Sequence, residues 1–184
     1  MDLKTAATLF VTIGLAVAGY LFTYWYSLRL SRRRNRLERV SRQLSELYGP
    51  LFALVTSSTS IWNQFRAANR PGIGYWDPEP PVSGDEATTW RVWMKEVFMP
   101  LNIQMVDAAV QKADLLEEST MPECLLELCA HVAAYRSVLA RWEQRDYSEH
   151  TSLMNFPAEA LTAYADERFL RLKAEQGRLL EAGW

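Results

Sequence analysis

Between Lys4 and Arg29 the chain runs for 24 residues, TAATLFVTIGLAVAGYLFTYWYSL, without a charge. At the helical rise such a run extends roughly 36 Å, against about 30 Å of bilayer hydrocarbon. The sequence therefore predicts a membrane-spanning helix over residues 1–28, with every other segment attached to it. A cleaved signal peptide fits poorly, because Asp2 and Lys4 cancel where such a peptide is positive. The far end also carries Tyr20, Tyr24, Trp25 and Tyr26 rather than small residues. These aromatics have the composition of an interfacial belt. Directly after them come Arg29, Arg32, Arg33, Arg34, Arg36, Arg39 and Arg42, with Glu38 alone against them. That asymmetry predicts a single pass through the inner (cytoplasmic) membrane, with the N-terminus outside and the C-terminal domain in the cytoplasm. Arg32, Arg33, Arg34 and Arg36 are the candidate contacts to anionic headgroups, and RNA is the other polyanion such a cluster can take.

Within the apolar run, Thr8, Thr12, Ala16, Gly19 and Thr23 align at helical spacing, and Gly14 with Ala18 makes a small-xxx-small pair on another face. Small residues let helices approach closely. Thr12, Gly14, Ala16, Ala18 and Gly19 are accordingly the expected packing residues of a homo-oligomer, the alternative being a lone anchor turning in lipid.

Of the 184 residues, 49% are apolar, enough for one core and not for two catalytic domains. Residues 1–45 hold eight basic and two acidic groups, leaving a surplus of eight acidic charges on the rest. Cys124 and Cys129 form neither a CxxC pair nor part of a His cluster, so a disulfide framework and a zinc module are excluded. Glycine-rich phosphate loops, GxSxG, HExxH and calcium-loop patterns are missing, so the sequence calls for no metal and no cofactor.

The remaining pattern is helical. Residues 29–48 read as an Arg-rich stalk continuous with the first helix, and 49–184 as a cytosolic bundle with a Pro/Gly loop at 70–84. Leu37, Val40, Leu44, Leu47, Leu51 and Leu54 form a seam that resumes at Ile61 and Phe65, with Gly49 and Pro50 expected to kink or break the helix. The seam is either the first core element of the bundle or a coiled coil between protomers. The run Thr56–Ser60 gives that helix small residues, which permit either loose packing or close approach of something else. Tyr75 and Trp76 in the loop either meet a partner or fold back. Ser83 and Glu86 have capping-box spacing ahead of Trp90, Trp93, Met94 and Val97, with Pro100 expected to end or bend that helix. Ile103, Val106, Ala109, Val110, Ala113 and Leu116 define the next expected buried face. Cys124, Leu128, His131, Tyr135, Val138 and Trp142 define another, on which His131 reads as a hydrogen-bonded core residue. A last helix after Pro157 presents Leu161, Ala165, Phe169, Leu172 and Leu179. The predicted fold class is all-α, a single N-terminal transmembrane helix continuing into a four- to five-helix bundle.

One motif can carry chemistry. Arg145, Asp146, Tyr147, Ser148, Glu149 and His150 give an R-x4-H spacing with a polar residue after the arginine. This resembles the R-(N/D/H)-x-x-x-H signature of HEPN-domain proteins, all-helical bundles with metal-independent ribonuclease members. The resemblance implies His150 as acid/base on a ribose hydroxyl and Arg145 as the phosphate clamp, usually paired across a dimer. Asp146, Glu149 and the acidic remainder oppose phosphate there. The single membrane helix, the Arg-rich junction, the YGPL segment (Tyr48 to Leu51) and the late helical pair around RDYSEH together resemble the small membrane accessory proteins of type VI-B CRISPR systems and their stand-alone relatives. That resemblance implies a HEPN-like domain, a ring-shaped oligomer around a membrane pore, and antiviral defence beside an RNA-guided ribonuclease. The competing readings are a membrane-tethered ribonuclease and a passive anchor or adaptor.

Overall fold

The computed structural model describes the backbone of residues 3–181 and the side chains of residues 14–181. It is all-helical, with no strand among the described residues. Helix α1 (Leu3–Arg42) passes through a π-helical turn (Gln43–Tyr48) into α2 (Gly49–Asn69). Helix α3 (Gly84–Trp93) passes through a second π-helical turn (Met94–Phe98) into α4 (Met99–Gln111). Helices α5 (Glu123–Glu143) and α6 (Ala158–Glu181) complete the bundle. Four helical rods thus share one core.

Neither proline breaks its rod. A proline in a helix lacks the N–H that bonds four residues back, and its ring crowds the carbonyl there. Each rod meets this by widening one turn just before the proline. Gly49 N–H donates to Leu44 O ahead of Pro50, and Met99 N–H donates to Met94 O ahead of Pro100, both five residues back. The Leu44 carbonyl lies so close that a Cβ on Gly49 would meet its oxygen at 2.3 Å.

The seam of α1 and α2 is the bundle's own core element. Val40, Leu44, Leu47, Tyr48, Leu51, Val55 and Phe65 are buried. The core begins at Val40, within the stretch read as the Arg-rich stalk. Buried Gln43 reaches across to donate to Leu115 O at 2.8 Å. On α5 the whole expected face, His131 included, is buried, and on α6 Leu161, Ala165 and Leu172 are. The face expected on α4 is rotated. Met99, Asn102, Met105 and Ala109 are buried, Ile103 and Val106 are half-buried, and Val110 is exposed. The buried stripe shares Ala109 with the expected one and is offset from it by well under the roughly 100° of a single residue, because a polar side chain, Asn102, takes a core position between Met99 and Met105.

The Pro/Gly loop is tied down rather than extended. Arg66 donates to Ile73 O at 2.7 Å, buried Arg70 to Pro80 O, and Tyr75 OH to Glu86 O at 2.7 Å. Tyr75 is buried and Trp76 half-buried, so these aromatics fold back into the domain. At the start of α3, Ser83 Oγ accepts from Glu86 N–H and the Glu86 carboxylate accepts from Ser83 N–H, completing the expected capping box. Both cysteines are free thiols.

No helix among the described residues is long and apolar enough to cross a membrane. The side chains of residues 1–13 in the uncharged run, with Thr8 and Thr12 among them, lie outside the described residues. From residue 14 to 27 every residue is exposed, with Phe22 at 75% and Trp25 at 64%.

Candidate functional site

Where α5 ends, its last carbonyls are closed by a Schellman turn. Asp146 N–H donates to Arg141 O and Arg145 N–H to Trp142 O, both at 3.0 Å. Arg145 takes the left-handed position of that turn with φ of 62°. Its side chain is exposed. Asp146 then accepts from both Ser148 N–H (3.0 Å) and Ser148 Oγ–H (2.7 Å), which lowers its pKa.

The chain from here to Pro157 is held by its carbonyl groups. Trp142 Nε1 donates to Glu149 O at 2.8 Å. Trp90 Nε1 at 2.8 Å and Tyr135 OH at 2.7 Å both donate to His150 O. His131 Nδ1 donates to Met154 O at 2.7 Å. The imidazole of His150 lies flat against Trp76, ring centres 5.0 Å apart, with burial and the nearby Arg91 lowering its pKa. Arg145 and His150 thus share one loop but no hydrogen bond joins them among the described residues. Arg145 sits on the turn outside, and His150 is built into the loop's attachment to the aromatic core.

Behind that loop lies a cavity of about 330 Å³. Helix α2 supplies Ser58, Thr59 and Trp62 to it, and the Pro/Gly loop supplies Trp76. The α3–α4 rod supplies Trp90, Phe98 and Asn102, and α5 supplies His131 and Tyr135. The 144–157 loop closes the last side with Thr151, Ser152, Met154, Asn155 and Phe156. None of the lining residues carries an Asp, Glu, Lys or Arg side chain. The run Thr56–Ser60 therefore contributes two small polar residues to a cavity wall, where the sequence offered only loose packing or close approach. Asn102 was not apparent as a site residue. Its signal is an amide recurring at core spacing with Phe98, Met105 and Ala109 in an otherwise apolar helix. His131 is buried and hydrogen-bonded as expected, but it also faces this space, and burial lowers its pKa.

At the other end of the molecule the arginine cluster is divided. Arg33 donates to Leu179 O near the end of α6, and Arg36 pairs with Glu175 at 2.6 Å. That contact raises the pKa of Arg36 and lowers that of Glu175. These two side chains lock α1 against α6, whereas Arg32 and Arg34 are exposed. Of the proposed packing residues, Ala16 and Ala18 are exposed, Gly14 and Gly19 have open space where a Cβ would stand, and the Thr12 side chain lies outside the described residues. Among the described residues no cluster of three His, Cys, Asp or Glu is arranged to hold a metal ion. Compared with protein-family models, curated proteins and solved structures, the chain matches none.

Proposed function

We propose that this chain is a membrane-anchored effector that works as a homo-oligomer, its bundle in the cytoplasm and its N-terminus outside. The observation that carries the reading is the run from residue 14 to 27, exposed at every position, with Leu15, Tyr20, Phe22 and Trp25 on a helix continuous with the bundle. A soluble monomer rarely leaves so large an apolar surface in water. Lipid and neighbouring copies are the two surroundings that cover it, and small residues at 14, 16, 18 and 19 suit the second. Arg32 and Arg34 are the headgroup contacts in this reading, since Arg33 and Arg36 are engaged by α6. Pore formation, a HEPN-like ancestry, antiviral defence and an RNA-guided ribonuclease partner belong to the same proposal and rest on the resemblance alone. Ribonuclease action through Arg145 and His150 is the second reading, and no contact between the two side chains favours it.

The test is the size and action of the particle extracted from membranes. Full-length protein is expected to stay with membranes through alkaline carbonate washing, to run as a closed multimer in detergent, and to make liposomes leak. Gly14→Leu and Gly19→Leu are expected to shift the particle toward smaller species and reduce leakage. A carbonate-soluble monomer, or RNA cleavage lost in His150→Ala with no leakage in any variant, overturns the proposal.

A further inference from the structure

The cavity between α2, the α3–α4 rod, α5 and the 144–157 loop has a combination of walls that narrows what it can hold. Its volume of about 330 Å³ lies at the small end of ligand pockets, room for a compact one- or two-ring molecule. Trp62, Trp76, Trp90 and Phe98 supply ring faces and edges. No lining side chain brings a formal charge, so a phosphate or carboxylate entering here finds no cation to offset its desolvation.

One acceptor is left poorly served. His131 is 4% exposed, and its Nδ1 proton is committed to Met154 O at 2.7 Å. Its Nε2 is therefore an acceptor, and among the described residues the donor that reaches it is Asn102 Nδ2 at 3.4 Å, beyond the usual range of a good N–H···N contact. Both side chains line the cavity. An aliphatic occupant leaves that lone pair and the Ser58 hydroxyl without a better partner. A donor on a flat ring supplies one.

We propose that this cavity binds a neutral, planar heteroaromatic molecule of one or two rings, whose ring N–H donates to His131 Nε2 while the ring packs among Trp62, Trp76 and Trp90. The assignment goes beyond the membrane reading and stands independently of it.

The probe is benzimidazole, titrated at pH 8 into full-length protein, in lipid nanodiscs if the protein extracts with membranes and in plain buffer if it does not, with the matching protein-free sample as reference. The readouts are calorimetry and the nitrogen spectrum of histidine-labelled protein. The chain has only His131 and His150, so the two rings can be told apart with one variant. Saturable binding is expected, with the His131 Nε2 resonance shifting. 1-Methylbenzimidazole, which lacks the ring N–H, is expected to bind at least about tenfold more weakly, the loss of one buried hydrogen bond. Ser58→Leu, which fills the cavity, is expected to abolish binding, and the methylated probe keeps the test decisive if that variant does not fold. Equal affinity for both probes, tighter binding of 1-hexanol or benzoate, or no saturable binding by any of them overturns the proposal.

Discussion

Arg145 holds a backbone conformation that suits glycine. At φ of 62° its Cβ crowds the following carbonyl, a cost of roughly 1–2 kcal/mol that glycine avoids. The turn forms regardless because Arg145 and Asp146 close two carbonyls of α5 from this position. Arg145→Gly is expected to stabilise the domain by about 1 kcal/mol, read as a raised denaturant midpoint at unchanged slope. A loss of stability would mean that the exposed guanidinium holds the loop by a contact worth more than the backbone strain. The same position explains why the R-x4-H spacing was easy to see and hard to interpret. Spacing counts residues, whereas the Schellman turn leaves the Arg145 side chain exposed and the loop beyond it sets His150 against Trp76.

At the scale of elements, each π-helical turn and its proline form one device. Gly49 belongs to it, since a Cβ there meets the Leu44 carbonyl oxygen at 2.3 Å, and backbone cannot yield as a flexible side chain does. Gly49→Ala is expected to destabilise the protein by about 2 kcal/mol, within the range of buried backbone strain. Gly177→Ala, in α6 with nothing within 4 Å of the added Cβ, is expected to stabilise it by about 0.5–1 kcal/mol. Opposite signs from the same substitution in two helices, measured by chemical unfolding, are the check. These turns also mark the limit of what the sequence disclosed about the fold. Helix type, the capping box at Ser83, the α5 face and the inward position of His131 follow from local periodicity and were legible. The widened turns were not, since nothing in QLSELYGP or MKEVFMP announces an extra residue there, and the α4 face was legible only in part, because a polar residue, Asn102, holds a core position on it. The cavity was half legible. Thr56–Ser60 stood out as unsuited to a helix core, but His131, Asn102 and Trp76 are brought to it from three other segments, and that convergence exists only in three dimensions.

Across the whole molecule, acid is expected to loosen the fold in two stages. Burial lowers the pKa of both His131 and His150 from the ordinary 6.5. The unfolded chain therefore takes up these protons first, so the histidine contribution is complete above pH 6.5 and is lost as the pH falls below it. Glu46, Glu86 and Glu175, whose pKa values are lowered by their hydrogen-bond donors from the ordinary 4.5, begin to lose their contribution only below that pH. Thermal midpoints are expected to decline already between pH 6.5 and 5. His131→Gln is expected to remove most of that early slope while lowering stability at pH 8. A profile flat down to about pH 4.5 in the unaltered protein would show that His131 protonates in the folded state without penalty.

Because Pro50 is absorbed without a break, the helix that starts at Leu3 is the same rod that ends at Asn69. At 1.5 Å per residue it is roughly 100 Å long. It has no swivel. A domain on a flexible tether explores every heading, whereas here the azimuth of the bundle is set by how the outer end is gripped. Two copies held side by side at residues 14–27 would have their bundles set in one fixed bearing to each other, and a twist at Ser58 or Trp62 is a twist of the shaft itself.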